Sequence, residues 1–176
     1  EKKRVTAAAG TTINELTKVL KTEGLSMINQ GDIDSQAIAG ALTTGTHGTG
    51  ATLPVLADCI VGMKLIQPDG SILIVDDSTP DLLLASRVSL GTLGAISEMT
   101  LQLTESYRLK ERIWREDFET AMDLHDELAE QHRHFGFFWC PYEESRHCYC
   151  LPDTAATSNS GRTTDVCEMK VLDFTD

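Results

Sequence analysis

Positive charge is scarce in this sequence. Its 176 residues include 15 lysines and arginines against 27 acidic residues, a formal net charge of -12. Such a surface repels phosphate backbones and anionic lipid, so no nucleic-acid partner is expected and membrane association is not expected of this segment. A single basic pocket for an anion remains compatible with that balance. No uninterrupted apolar run reaches membrane-spanning length. The charged start EKKR is not followed by the apolar stretch of a secretory signal. Cysteine supplies no framework either. Cys59, Cys140, Cys148, Cys150 and Cys167 are odd in number and irregular in spacing, which argues against a disulfide scaffold. A reduced compartment is the simpler reading, and the expected localisation is cytoplasmic. No internal repeat is evident. The sequence lacks an initiator Met and opens directly into a strand-like run, so it is expected to begin inside a larger protein.

What is present suffices for a packed core, at 41% hydrophobic residues, and the length suits one domain or one domain with part of another. RVTAAAG reads as a strand. Thr12 and Glu15 have capping-box spacing ahead of Ile13, Leu16 and Leu20, and Gly24 suits the left-handed position that closes a helix. SQAIAGAL reads as a short helix capped by Ser35 or Asp34. Two β-rich runs flank Pro68-Asp69-Gly70, a tight turn. The second carries apolar residues on both faces (Ile72, Ile74 and Leu73, Val75), which predicts a hairpin covered on both sides. STPDLLLASRV reads as a helix capped by Thr79 with Pro80 in its first turn. SLGTLGAISEMTLQLTE is a glycine-punctuated turn entering a strand with Met99, Leu101 and Leu103 on one face.

The character changes near Glu105. YRLKERIW reads as one strand. The next segment is an amphipathic helix with Phe118, Ala121, Leu124 and Leu128 on one stripe. Two strands follow, FGFFWCPY and RHCYCLP, then a polar loop DTAATSNSGRTTD and a final strand or tail, VCEMKVLDFTD. Hairpin-linked strands with irregular helices make the expected class α+β. The expected division is residues 1–105 and 106–176.

GALTTGTHGTG, residues 40–50, crowds glycines and threonines around His47. It matches neither the phosphate loop, because no lysine follows, nor the dinucleotide fingerprint. Two readings are open: a solvent loop, or a backbone cradle whose amides and hydroxyls approach a charged cofactor. With GDID and IAGAL before it, and with SLGTLGAISEMTLQL, HFGFFWCPY and DVCEMKV in order after it, the segment resembles the FAD-linked oxidases of the vanillyl-alcohol-oxidase type. Within them it is similar to the sugar-1,4-lactone oxidases, the gulonolactone and arabinonolactone oxidase group. The resemblance implies the second half of a PCMH-type FAD-binding domain, a mostly antiparallel sheet with flanking helices, followed by the start of an α+β substrate (cap) domain. It implies FAD as cofactor and a small-molecule sugar lactone or polyol as substrate. The reaction implied is oxidation of a secondary alcohol by hydride transfer to the flavin, with O2 or another acceptor reoxidising it. Asp32 and Ala37 fall at positions along the FAD, and Gly40 falls where the cofactor approaches a helix. Thr44, Gly45, Thr46, His47 and Gly48 form the loop beside the flavin and its diphosphate. Ile96 falls at an apolar contact after the glycine-rich turn. A bulky residue at Gly45 is expected to abolish FAD retention.

Two parts of the family pattern are not in the sequence. The arginine- and glycine-rich pyrophosphate loop, which in many members carries the flavin-linked histidine, is expected before residue 1. The sugar-binding part of the substrate domain is expected after residue 176. His47 stands in another motif and is not assigned the covalent role. No catalytic residue is assigned, and the chain's partners are expected to be the remaining segments of the same enzyme. The alternatives are an FAD-linked oxidase of alditols or other sugars and, in another class, a cofactor-free α+β binding domain.

The remaining candidates have simpler readings. His125 and His132, with His134 nearby, suit a partly exposed amphipathic helix better than a metal site. His147, Cys148 and Cys150 suit a strand, since no second pair of ligands completes a zinc site. The aromatics of HFGFFW suit packing of one strand face on the preceding helix.

Overall fold

The computed structural model describes residues 3–111, 113–139 and 147–155, the last of these by its backbone. The described residues form two compact units. The first comprises the described residues of 3–48 and 54–106, the second those of 49–53 and 107–155.

In the first unit a five-stranded antiparallel sheet carries three helices. Its strands are β1 (Arg4–Ala8), β2 (Leu25–Met27), β3 (Ile60–Ile66), β4 (Ile72–Asp76) and β5 (Ala95–Glu105). The order is β1-β5-β3-β4, and β2 continues the β1 edge by pairing with the far end of β5. Alternation puts Met63, Leu65, Val75, Met99, Leu101 and Leu103 on the covered face. Helices α1 (Ile13–Thr22), α2 (Ile38–Thr43) and α3 (Pro80–Arg87) cover it with Ile13, Leu16, Leu20, Ile38, Ala41, Leu42 and Leu83. Each large aliphatic side chain buried there contributes about 1.5–3 kcal/mol.

The start of α1 is locally encoded. Thr12 accepts from the Glu15 amide at 3.2 Å, and the Glu15 carboxylate accepts from the Thr12 amide at 2.9 Å. Those hydrogen bonds hold the Glu15 carboxyl below its ordinary value. Gly24 closes the helix at φ +67°.

Three local expectations need correction. Neither Ser35 nor Asp34 caps α2: its N-cap is Ala37, with no side-chain bond. Tertiary partners serve instead, since the Ile38 amide donates to the Thr11 carbonyl at 2.9 Å. Asp34 is turned to α1 and accepts from the Asn14 carboxamide at 2.6 Å. Thr79 is the N-cap residue of α3, but its hydroxyl bonds back to Asp76 rather than to the helix. Among the described residues the β3–β4 hairpin is covered on one side only. Val75 is fully buried while Ile72 and Ile74 are 62% and 53% exposed.

In the second unit β6 (Leu109–Glu111) and β7 (Trp114–Asp117) stand where one strand was expected. Both pair with β9 (His147–Ala155), whose other edge takes β8 (His134–Trp139). Strand β9 runs through Asp153–Ala155, the start of the expected polar loop. Helix α4 (Phe118–Gln131) begins at Asp117, whose carboxylate accepts from the Glu119 and Thr120 amides. Ala121 and Leu128 pack against Phe135 and Phe137 of β8. Leu124 is exposed. His125 takes its place, with its ring edge-on to Phe135 at 5.8 Å and to Phe137 at 6.2 Å. The expected loop beyond residue 155, the final strand or tail, Cys140 and Cys167 lie outside the described residues.

Candidate functional site

Helix α2 ends in the glycine-rich segment, and β5 begins after the bend Leu90–Gly94. A cleft of about 540 Å³ opens between them, lined by Ala39, Gly40, Thr43, Thr44, Leu90, Gly91, Gly94, Ala95 and Ile96. Its walls are tied at the top by the Leu90 amide, which donates to the Thr43 carbonyl at 3.4 Å. The bend is tied to the hairpin by Gln67, whose side-chain amide donates to the Leu93 carbonyl at 2.8 Å.

Small side chains keep main chain at the surface of this cleft. Gly40 carries the clearest signal. It lies inside α2, where glycine costs about 1 kcal/mol relative to alanine. It has no positive φ, and a Cβ built on it meets no protein atom within 4 Å. Neither backbone geometry nor internal packing requires glycine there. The position is open on the cleft side. The hydroxyls of Thr43 and Thr44 donate to the carbonyls of Ala39 (2.6 Å) and Gly40 (2.8 Å), which leaves each oxygen able to accept.

Of the residues singled out in the sequence, the cleft brings together Gly40, Thr44 and Ile96. Ala37 precedes it as the N-cap of α2 and pairs with Thr12. Gly45 follows at φ +79°, a backbone conformation that glycine adopts without strain. Thr46 is bonded to Ala41 and Leu56 through its main chain. Asp32 and His47 are exposed and do not line the cleft, and the His47 ring bonds the Gly48 carbonyl at 3.1 Å. Gly48 packs tightly on Asn29 and Gln30. The cleft also uses Ala39, Thr43, Leu90, Gly91, Gly94 and Ala95. Their signal in the sequence is their smallness, and it does not separate a cleft wall from a turn.

The glycine-rich segment leaves the first unit after Gly48. Residues 49–53 belong to the second, where His134 at the start of β8 holds them. Its Nδ1 lies 3.2 Å from both the carbonyl and the hydroxyl oxygen of Thr49. A proton on Nδ1 would serve either oxygen. Nε2 is buried without a hydrogen-bond partner among the described residues. Burial, followed by the neighbouring Arg133 charge, holds the His134 pKa below its ordinary value. The sign follows. Below about pH 6.5 the unfolded chain binds the proton before the folded one, so acid destabilises the second unit until the folded value is passed. Thermal unfolding at pH 7.5 and 5.5 should show a smaller loss on acidification in His134→Asn than in the unsubstituted protein. Equal losses would remove His134 from the account.

Burial pushes the Cys59 thiol up to about 11, which makes it a poor nucleophile. Among the described residues no three histidine, cysteine or acidic side chains converge on a metal position. The side chains of His147, Cys148 and Cys150 lie outside the described ones.

A family model described as an FAD binding domain matches residues 1–76. The sequence is 34% identical over 146 residues to L-galactono-1,4-lactone dehydrogenase 1 of Oryza sativa subsp. japonica, covering 82% of this chain and 25% of that protein. It is 37% identical over 140 residues to L-gulono-1,4-lactone dehydrogenase of Mycobacterium tuberculosis (80% and 32%). Against L-gulonolactone oxidase of Mus musculus it is 33% identical over 146 residues (82% and 33%). The chain therefore spans between a quarter and a third of these curated relatives. The fold is similar to that of cholesterol oxidase from B. sterolicum, with a TM-score of 0.75 at 17% identity over 86% of this chain and 32% of that one.

Proposed function

We propose that the chain belongs to the FAD-linked oxidases of the vanillyl-alcohol-oxidase type, in the sugar-1,4-lactone oxidase and dehydrogenase group, and that the full-length protein oxidises a secondary alcohol of a sugar-1,4-lactone. The observation that carries the reading is the small-walled cleft between α2 and the Leu90–Ile96 bend, with Gly40 bare on its surface. The residues fit part of an FAD: main chain close to the surface, threonine oxygens as acceptors, and the apolar side chain of Ile96 beside them. When bound, FAD would supply the hydride acceptor and pass the electrons to O2 or another acceptor.

In this reading Gly40, Thr44 and Ile96 form the wall that the cofactor touches. Gly45 turns the chain away from the cofactor's edge. Asp32, Ala37, Thr46, His47 and Gly48 contribute through main chain or by holding the loop. Asp32 and His47 are exposed in this chain, and their contact with FAD would require the remaining segments of the enzyme to enclose them. Those segments would also bring the pyrophosphate loop and the sugar-binding groups.

The test is a spectrum followed by turnover. Purified full-length protein should be yellow, or become so with added FAD, and should oxidise L-galactono-, L-gulono- or D-arabinono-1,4-lactone faster than an alditol. A protein that stays colourless with FAD would overturn the cofactor assignment. A yellow protein that prefers the alditol would overturn only the substrate class.

A further inference from the structure

Leu90 is, among the described residues, the one non-glycine residue with a left-handed backbone, at φ 53°. It stands with Gly91, at φ +76°, in the turn closed by the Thr92 amide on the Ser89 carbonyl at 3.0 Å. Glycine occupies such a position freely. Leucine is strained there, because its Cβ crowds the neighbouring carbonyl. The strain brings no burial in return: the side chain is 68% exposed while lining the cleft. A residue that is both strained and apolar on an open surface points to something it meets outside the fold. The turn is held in place by the bond from the Leu90 amide to Thr43, so the side chain is delivered to the cleft by a fixed backbone.

We propose that Leu90 is a cofactor-contact residue, whose left-handed backbone sets its side chain against the FAD bound in the cleft. The inference rests on the functional reading above and adds a residue to it. Binding the cofactor covers the exposed leucine and recovers apolar burial that the fold alone forgoes.

The experiment uses the full-length protein, stripped of flavin, with FAD affinity read from fluorescence quenching and stability from unfolding of the apoprotein. Leu90→Asn keeps the left-handed turn without strain and removes the apolar contact. It should bind FAD roughly tenfold more weakly while its apoprotein unfolds no earlier than the unsubstituted one. Leu90→Gly should behave in the same way. Leu90→Met, which restores apolar volume, should bind within about threefold of the unsubstituted protein. The proposal is overturned if the Asn and Gly variants bind FAD normally. It is also overturned if Leu90→Met binds as weakly as they do, or if affinity falls only in step with apoprotein stability. If the unsubstituted apoprotein itself takes up no FAD, the functional reading fails, and this inference fails with it. Normal FAD uptake by all variants sinks the Leu90 assignment alone.

Discussion

Full-length protein carrying Gly40→Leu should fold and should be colourless. The site explains why both halves of that result are expected together. Gly40 has helical φ and nothing within 4 Å of its missing Cβ, so the fold itself accepts a side chain there. Replacing glycine by alanine inside a helix stabilises it by about 1 kcal/mol, and leucine is nearly as good a helix former. Apoprotein unfolding should therefore be unchanged or shifted upward in both Gly40→Ala and Gly40→Leu. The added atoms of leucine, however, enter the cleft that FAD would occupy. A loss of affinity of at least about a hundredfold, roughly 2.7 kcal/mol, is expected for leucine and a smaller loss for alanine. Flavin content after purification and titration of the apoprotein measure it. Normal flavin content in Gly40→Leu would place the cofactor elsewhere. Gly45→Val is a less clean probe. Its backbone, at φ +79°, would strain valine whether or not a ligand approaches.

Features decided within a few residues could be read from the sequence. The Thr12–Glu15 box is two hydrogen bonds spanning three positions, and both form. The Pro68-Asp69-Gly70 turn closes as expected, with Gly70 at φ +82° and its amide on the Gln67 carbonyl. The alternation of Met99, Leu101 and Leu103 fixes a face because β5 is central to its sheet and both of its edges are paired.

What the sequence hid depends on distant partners. Ile72 and Ile74 look like core residues, yet β4 is an edge strand whose outer face has no layer over it among the described residues. The start of α2 needs no capping side chain because α1 and the chain before it supply the bonds. Nor does sequence show that residues 49–53 leave one unit for another, since the partner that receives them, His134, lies 85 positions away from Thr49. The same holds for the site. Glycine density marks the segment from Gly40 to Gly50, but not which glycines face a ligand and which are there for packing. Leu90 shows the converse. A leucine between a serine and a glycine gives no sign that it will take up the left-handed position.

Gly48 is a packing glycine, the one whose added Cβ would overlap most closely among the described glycines, and its replacement should produce a large loss of stability. A Cβ on Gly48 would overlap the Gln30 carbonyl oxygen and the side-chain oxygen of Asn29. Neither obstacle can step aside cheaply. Asn29 is buried, with its carboxamide donating to the Pro54 carbonyl at 3.1 Å and accepting from the Gln30 amide at 2.9 Å. The Gln30 carbonyl belongs to the main chain. Relief requires the loop to move outward, which would pull on the Thr46 main-chain bonds to Ala41 and Leu56. Overpacking of this kind costs 1–3 kcal/mol in general, and backbone obstruction with a buried amide places Gly48→Ala near about 3 kcal/mol. Gly45→Ala, which adds left-handed strain without overlap, should cost only about 1 kcal/mol. Thermal unfolding of the two apoproteins gives the comparison, and their order does not depend on FAD at all. If Gly48→Ala unfolds within a degree or two of the unsubstituted protein, the loop is not clamped between Asn29 and Gln30. The cleft wall would then lose the anchor that keeps Gly45 and Thr44 in place.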